Sequence, residues 1–294
     1  MRLIFASVIF STIVYLTPAA RADEKVAIEA DVVYGHKDGL AMTFDVIKPK
    51  EHANRAGVLF MVSGGWFSAW YPPENNATMF RPLLDKGFTM FIVRHGSSPK
   101  YVIPEIVEDV RRSVRFIRKN AARFDVDPER LGVTGGSAGG HLSLMLGTTG
   151  DDGDPQAKDE LLRTSDRVAT VVAYFPPTDV RPWVSPESSY NKNYPALRFD
   201  ASKADAYSPL LAVSPNDPPT LLIHGDQDTL VPLEHSRKIL AEYQKNHVAC
   251  DLLVIKGAGH GFQGEDEKRA VAARDAWFEE HLLKKDDKPT ASKP

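Results

Sequence analysis

Leu131-Gly132-Val133-Thr134-Gly135-Gly136-Ser137-Ala138-Gly139-Gly140-His141-Leu142-Ser143-Leu144-Met145-Leu146 reads as a strand, a tight turn and then a helix. Inside it stands Gly135-x-Ser137-x-Gly139, the pattern of a nucleophile elbow that strains the serine backbone and lifts its Oγ above a sheet. Glycine is required on both sides because strand and helix approach each other too closely there for side chains. The motif falls where a strand-to-helix junction is demanded, which makes a merely structural Gly-rich turn the weaker reading.

Outward from this junction the pattern repeats. Eight short runs rich in Val, Ile, Leu and Phe, bounded by Gly, Pro, Asp or Asn, predict strands at Val26–Tyr34, Ala41–Ile47, Ala56–Ser63, Phe88–Arg94, Arg130–Gly135, Val168–Phe175, Thr220–His224 and Asp251–Ile255. The first two are joined by the turn-rich Gly35-His36-Lys37-Asp38-Gly39, short enough for an antiparallel hairpin. Helical spacing of Ile106, Val110, Val114 and Ile117 marks a helix from Ile106 to Lys119, and another runs from Leu233 to His247. Strands alternating with helices predict an α/β fold: a mostly parallel eight-stranded sheet, its first hairpin antiparallel, with helices on both faces. Residues 176–219, rich in Pro, Ser, Asn and Asp, break the alternation and read as a lid-like insertion or a solvated excursion.

The chain has 294 residues, 43% hydrophobic and 26% charged, with a formal charge of −3. This balance excludes wholesale disorder and a multi-span membrane protein, and it gives no basic face for nucleic acid. Arg2, the apolar run Leu3 to Leu16 and the small residues Ala20 and Ala22 predict a signal peptide over residues 1–22, cleaved after Ala22, hence secretion or a periplasmic location without a stable membrane anchor. Cleavage leaves 34 basic and 39 acidic residues, a charge of −5 over 272 residues. A single folded domain is expected over residues 23–283, and residues 284–294 are expected to form a disordered tail. The single Cys250 has no partner in the chain and reads as a packed thiol. Asp151-Asp152-Gly153-Asp154 lacks the spacing and closing Glu of a calcium loop and reads as a solvated turn.

A serine hydroxyl needs a base within hydrogen-bond reach and a carboxylate that fixes the base's tautomer. After the strand Thr220–His224 come Asp226 and Asp228, two competing acids; after the strand Asp251–Ile255 comes Gly257-Ala258-Gly259-His260-Gly261-Phe262, whose histidine is placed to reach over the sheet edge. Of the nine histidines, His141 lies one helical turn past Ser137 and reads as packed, His224 orients the acid loop, and His95 borders the site at most. His36, His52, His235, His247 and His281 lie in polar stretches and read as solvated, and no pair has zinc-ligand spacing, so no metal or cofactor is expected. An oxyanion hole normally combines the amide after the nucleophile, here Ala138, with amides after the third strand, here Met61-Val62-Ser63-Gly64-Gly65-Trp66.

With these pieces assembled, the chain resembles the α/β-hydrolases of the esterase/lipase group, close to bacterial acetyl-xylan and feruloyl esterase-like proteins and to the prolyl oligopeptidase catalytic domain. The resemblance spans about Val26 to Leu283. It rests on Gly135-Gly136-Ser137-Ala138-Gly139-Gly140-His141, on His224-Gly225-Asp226-Gln227-Asp228-Thr229-Leu230-Val231-Pro232 and on Gly259-His260-Gly261-Phe262. It implies the nucleophile–acid–base order Ser137, Asp228, His260, with Asp226 left to shape its loop. The group's His-Gly-Gly-Gly-Trp loop is Val62-Ser63-Gly64-Gly65-Trp66 here, so the bracing histidine is missing. Gly64 and Ala138 are the expected oxyanion donors, with Ser63 and Gly65 in reserve. The implied activity is hydrolysis of carboxylic esters, including acetyl or feruloyl esters of polysaccharides, on small-molecule or polysaccharide-linked substrates. Trp66, Trp183, Tyr190 and Tyr194 are the aromatics expected to meet that substrate. A peptidase or amidase, or a non-catalytic binding protein on the same scaffold, are the alternatives.

Overall fold

The computed structural model describes residues 25–283; the expected signal peptide and tail lie outside them. Eight strands, β1 (Val26–Lys37), β2 (Leu40–Pro49), β3 (Gly57–Met61), β4 (Thr89–Val93), β5 (Leu131–Gly136), β6 (Thr170–Tyr174), β7 (Thr220–Gly225) and β8 (Cys250–Ile255), form one sheet in the order β1-β2-β4-β3-β5-β6-β7-β8. β2 runs antiparallel to both β1 and β4, and every later pairing is parallel. The first hairpin closes on Asp38 and Gly39, both at positive φ (50° and 78°), which suits a two-residue turn between paired Lys37 and Leu40. β1 is irregular: its register shifts between Glu29 and Val32 and again between Val33 and Gly35, with Asp31 at φ 55°.

The helices are α1 (Pro73–Met79), α2 (Arg81–Asp85), α3 (Ile103–Lys119), α4 (Ala121–Phe124), α5 (Ala138–Thr149), α6 (Arg181–Val184), α7 (Ser189–Asn193), α8 (Pro209–Ala212), α9 (Glu234–Lys245) and α10 (Glu265–Leu282). Period-two alternation in the strands sends side chains to two cores. Leu59, Phe91, Val93 and Leu222 meet α3, α5 and α9, while Val58, Met90, Ile92, Leu221 and Ile223 meet α1, α2 and α10. α3 starts three residues before the apolar spacing begins, because Glu105 accepts the Val102 N–H (3.0 Å) and Pro104 suits the first turn.

Residues 176–219 fold into α6, α7, α8 and short 3₁₀ turns, and Val180, Trp183, Val184, Ala196, Leu197 and Ala204 are buried against the α5 side of the core. The segment is packed structure rather than an irregular excursion. Asp151 likewise is an anchor, not a solvated turn: with the fully buried Asp166 it binds Arg111 and Arg115 of α3 at 2.5–2.9 Å. Cys250 is half-buried, and burial pushes its thiol up to about 12, which makes it inert at neutral pH.

Candidate active site

The parallel strands bring three loops to their carboxyl ends. After β5, Ser137 takes φ 54° and ψ −120°, donates its N–H to the Tyr174 carbonyl (2.9 Å) and accepts the first bond of α5 from His141 N–H (2.9 Å). A Cβ on Gly135 would lie 2.5 Å from the Gly139 backbone, and one on Gly139 would lie 2.6 Å from the Met61 carbonyl oxygen. Both glycines are therefore enforced by main chain.

After β7 the buried Asp228 is held by two amides, Leu230 N–H and Val231 N–H, each 2.9 Å from Oδ1. Its Oδ2 accepts His260 Nδ1–H at 2.7 Å. A carboxylate can only accept here, so the neutral imidazole carries its proton on Nδ1 and keeps a basic lone pair on Nε2. His224 supports the loop from beneath: Nε2–H donates to the Val231 carbonyl (2.8 Å) and Nδ1 accepts from Ser236 Oγ (2.7 Å), and burial lowers its pKa, so it stays neutral beside Asp228. Asp226, the competing acid, instead accepts Gly257 N–H (2.6 Å) and shapes the loop that carries His260.

Phe175 joins the serine and histidine loops. Its ring lies 4.6 Å from the His260 ring and within 3.3 Å of where a Gly136 Cβ would sit, and its backbone is held at φ 36°. A bulky residue at positive φ is strained, and such strain collects at functional sites. Among the described residues no hydrogen bond joins His260 to Ser137 Oγ, so Asp228 and His260 are linked while His260 and Ser137 are not.

The loop after β3 departs from expectation. Gly65 and Trp66 both have positive φ (56° and 60°) and turn the chain so that Gly64 N–H donates to the Phe67 carbonyl (3.0 Å). The Gly64 amide, the expected oxyanion donor, is thus spent within the loop, and the reserve Gly65 amide and that of Ala138 form no backbone bond. Ser63 engages the elbow through its carbonyl, which accepts Gly139 N–H (3.2 Å).

Trp66 is buried, its Nε1–H donating to His141 Nδ1 (3.2 Å), while His141 Nε2–H donates to the Tyr207 carbonyl (2.9 Å). Burial drives His141 down to about 4, and both bonds need this neutral tautomer. His141 takes over the brace that the loop's own sequence lacks. Trp183 is also buried, stacked on Tyr190 at 4.1 Å. Trp66 and Trp183 therefore serve as packing rather than as an open platform. Half-buried Tyr190 bonds the Leu230 carbonyl (2.8 Å), and Tyr194 covers Gly65. Among the described residues the exposed aromatics are Phe67, Trp70 and Tyr71, where Trp70-Tyr71-Pro72-Pro73 is the sequence signal of a surface turn.

His95 is buried and hydrogen-bonded through Nδ1 to the Gly96 carbonyl (2.8 Å), and it lines a pocket with Ser68 and Trp70. His235 is half-buried rather than solvated, accepting Thr178 N–H (3.1 Å), and burial lowers it to about 4. Among the described residues no cluster of three His, Cys, Asp or Glu residues could hold a metal, and no helix is long and apolar enough to cross a membrane.

The BD-FAE family model matches residues 44–243, most of the sheet together with the elbow and the acid loop. The chain belongs to the BD-FAE family. Among similar proteins, Esterase LipC of Mycobacterium tuberculosis is 30% identical over 249 residues, 81% of this chain and 60% of the relative. The chain spans about half to three-fifths of the curated relatives it matches. A truncated carbohydrate esterase from gut microbiota superposes with TM-score 0.75 at 26% identity, covering 89% of this chain and 98% of that one. An acetyl ester-xyloside bifunctional hydrolase from Caldicellulosiruptor lactoaceticus gives 0.74 at 23%, covering 85% and 96%. The α/β-hydrolase fold of this BD-FAE member is thereby established.

Proposed function

We propose that the chain is a serine hydrolase of carboxylic esters that works through an acyl-enzyme. The observation that carries this is the 2.7 Å bond between His260 Nδ1 and buried Asp228, which leaves the Nε2 lone pair free to take a proton, beside an elbow whose Ser137 is strained at φ 54°. Ser137 Oγ attacks the ester carbonyl and passes its proton to Nε2, while the amides of Ala138 and Gly65 hold the oxyanion. The C–O bond then breaks, the alcohol departs with the proton from Nε2, and the acyl group stays on Oγ. Water, deprotonated by the same Nε2, releases the carboxylic acid and restores the serine.

Relatives named esterase and carboxylic ester hydrolase support the reaction type, and the carbohydrate esterase neighbour supports acyl esters of sugars as a substrate class. Acetyl and feruloyl esters of polysaccharides are the narrower form of the proposal, and export after cleavage at Ala22 its cellular setting. Fluorophosphonate labelling with peptide mass mapping tests the nucleophile: adduct on Ser137 is expected, and adduct elsewhere on active protein overturns the assignment. Side-by-side rates on acetylated xylan, feruloyl esters and short-chain esters rank the substrates. N-terminal sequencing of exported protein should begin at Asp23.

A further inference from the structure

A cavity of about 510 Å³ opens on the α1 and α10 face of the sheet, beginning at Gly135 and Gly136 directly before the nucleophile. Phe60, Met79, Phe80, Phe175 and Phe262 wall it, and exposed Met79 and Glu267 stand at its rim. One lining residue carries a buried polar atom without a partner. Thr134 Oγ1 has none, whereas Arg274 is paired with Asp275 Oδ1 through both Nε (2.8 Å) and Nη2 (2.7 Å). Buried polar atoms are nearly always satisfied, so the unpartnered Thr134 hydroxyl in the cavity wall marks where a bound molecule's oxygen fits. The Arg274–Asp275 pair is neutral overall and Glu267 guards the rim, which selects against an anionic guest.

Resting on the ester-hydrolase reading, we propose that this cavity receives the alcohol portion of the substrate, and that this portion is an uncharged aromatic alcohol. The leaving oxygen must reach His260 Nε2 for its proton, so the departing group lies on the histidine's side of the site. Phe175, 4.6 Å from the His260 ring, and Phe262, two residues further on, are shared by the base and the cavity. The oxyanion amides lie towards the opposite face, where Tyr194 covers Gly65. Five apolar walls would leave most hydroxyls of a sugar unpaired, whereas a ring with one oxygen meets both the walls and the unpartnered Thr134 hydroxyl.

The test compares wild type with Val271→Trp, which fills the cavity from half-exposed α10, and with Thr134→Val, an isosteric change that removes the open hydroxyl. The readouts are kcat/KM for 1-naphthyl acetate and for ethyl acetate, and the affinity for 1-naphthol by titration calorimetry. Val271→Trp should lower the naphthyl-to-ethyl ratio and the naphthol affinity at least tenfold. Thr134→Val should weaken 1-naphthol about threefold or more, and more than naphthalene. A folded Val271→Trp with unchanged ratio and affinity overturns the proposal; should that variant fail to fold, unchanged naphthol binding by Thr134→Val does so. Hydrolysis of neither ester alongside cavity-dependent naphthol binding removes the hydrolase reading and keeps the cavity. Hydrolysis of both esters with a ratio indifferent to Val271→Trp does the reverse.

Discussion

Two Gly-rich turns face each other at the carboxyl ends of neighbouring strands, and they are held by different means. The elbow after β5 is locked by main chain, since added Cβ atoms on Gly135 and Gly139 would strike backbone at 2.5 and 2.6 Å. The loop after β3 is locked by side chains from elsewhere: Gly64 has open space around it, and Trp66 is pinned by His141, which is itself tied to Tyr207. Backbone crowding is written locally as glycine. Support from a residue 75 positions away is written nowhere near the loop.

Breaking the chemistry without touching either turn gives the largest effect. Ser137→Ala should lower the p-nitrophenyl acetate rate on the order of 10⁴-fold or more, and Asp228→Asn should approach that loss, whereas Asp226→Asn should cost far less. Equal losses for the two aspartates would reassign the acid. Next comes the elbow: Gly135→Ala should destabilise by at least about 3 kcal/mol in urea unfolding, because backbone cannot yield as a side chain can.

The β3 loop should respond through its brace. His141→Leu leaves the Trp66 N–H and the Tyr207 carbonyl without partners, at about 2 kcal/mol in stability, and should cut kcat roughly tenfold to a hundredfold while KM changes less. His141→Gln, able to accept and donate, should recover part of it. Acid separates the turns as well. His95, His141 and His235 are held near 4 by burial, so between about pH 6.5 and 4 the unfolded chain binds protons that the folded one refuses. Stability is intact above that window and declines as pH falls through it, by up to about 3 kcal/mol for each histidine. Hydrogen exchange at pH 5 should show Gly65–Phe67 loosening before Gly135–Gly139, and the opposite order would refute the contrast. The smallest effect is Gly64→Ala, expected within about 0.5 kcal/mol of wild type by thermal melts.

The same contrast explains what could be read from residues alone. All eight strands and the antiparallel hairpin were legible, because period-two alternation and Asp-Gly turns are local signals. The pairing of Asp228 with His260 was legible because each follows a strand in a motif of fixed spacing. α10 left a faint trace, for its buried face includes Arg274 and Asp275 and so lacks a clean apolar stripe. The Gly64 donor was misjudged because the bridge to Phe67 depends on Trp66 adopting positive φ, an unfavourable conformation that only burial and the bond to His141 repay. Residues 176–219 looked irregular because their prolines break them into helices of one turn or so, each stable only when docked.

The irregular β1 has a consequence at the far end of the sheet from β8. As an outermost strand of 12 residues it presents one row of backbone groups to the surroundings, the kind of border on which a second molecule can crystallise its own strand. Two register shifts and the left-handed Asp31 interrupt that row, so an incoming strand meets no continuous ladder to copy. The long hairpin thereby closes the sheet without inviting it to grow.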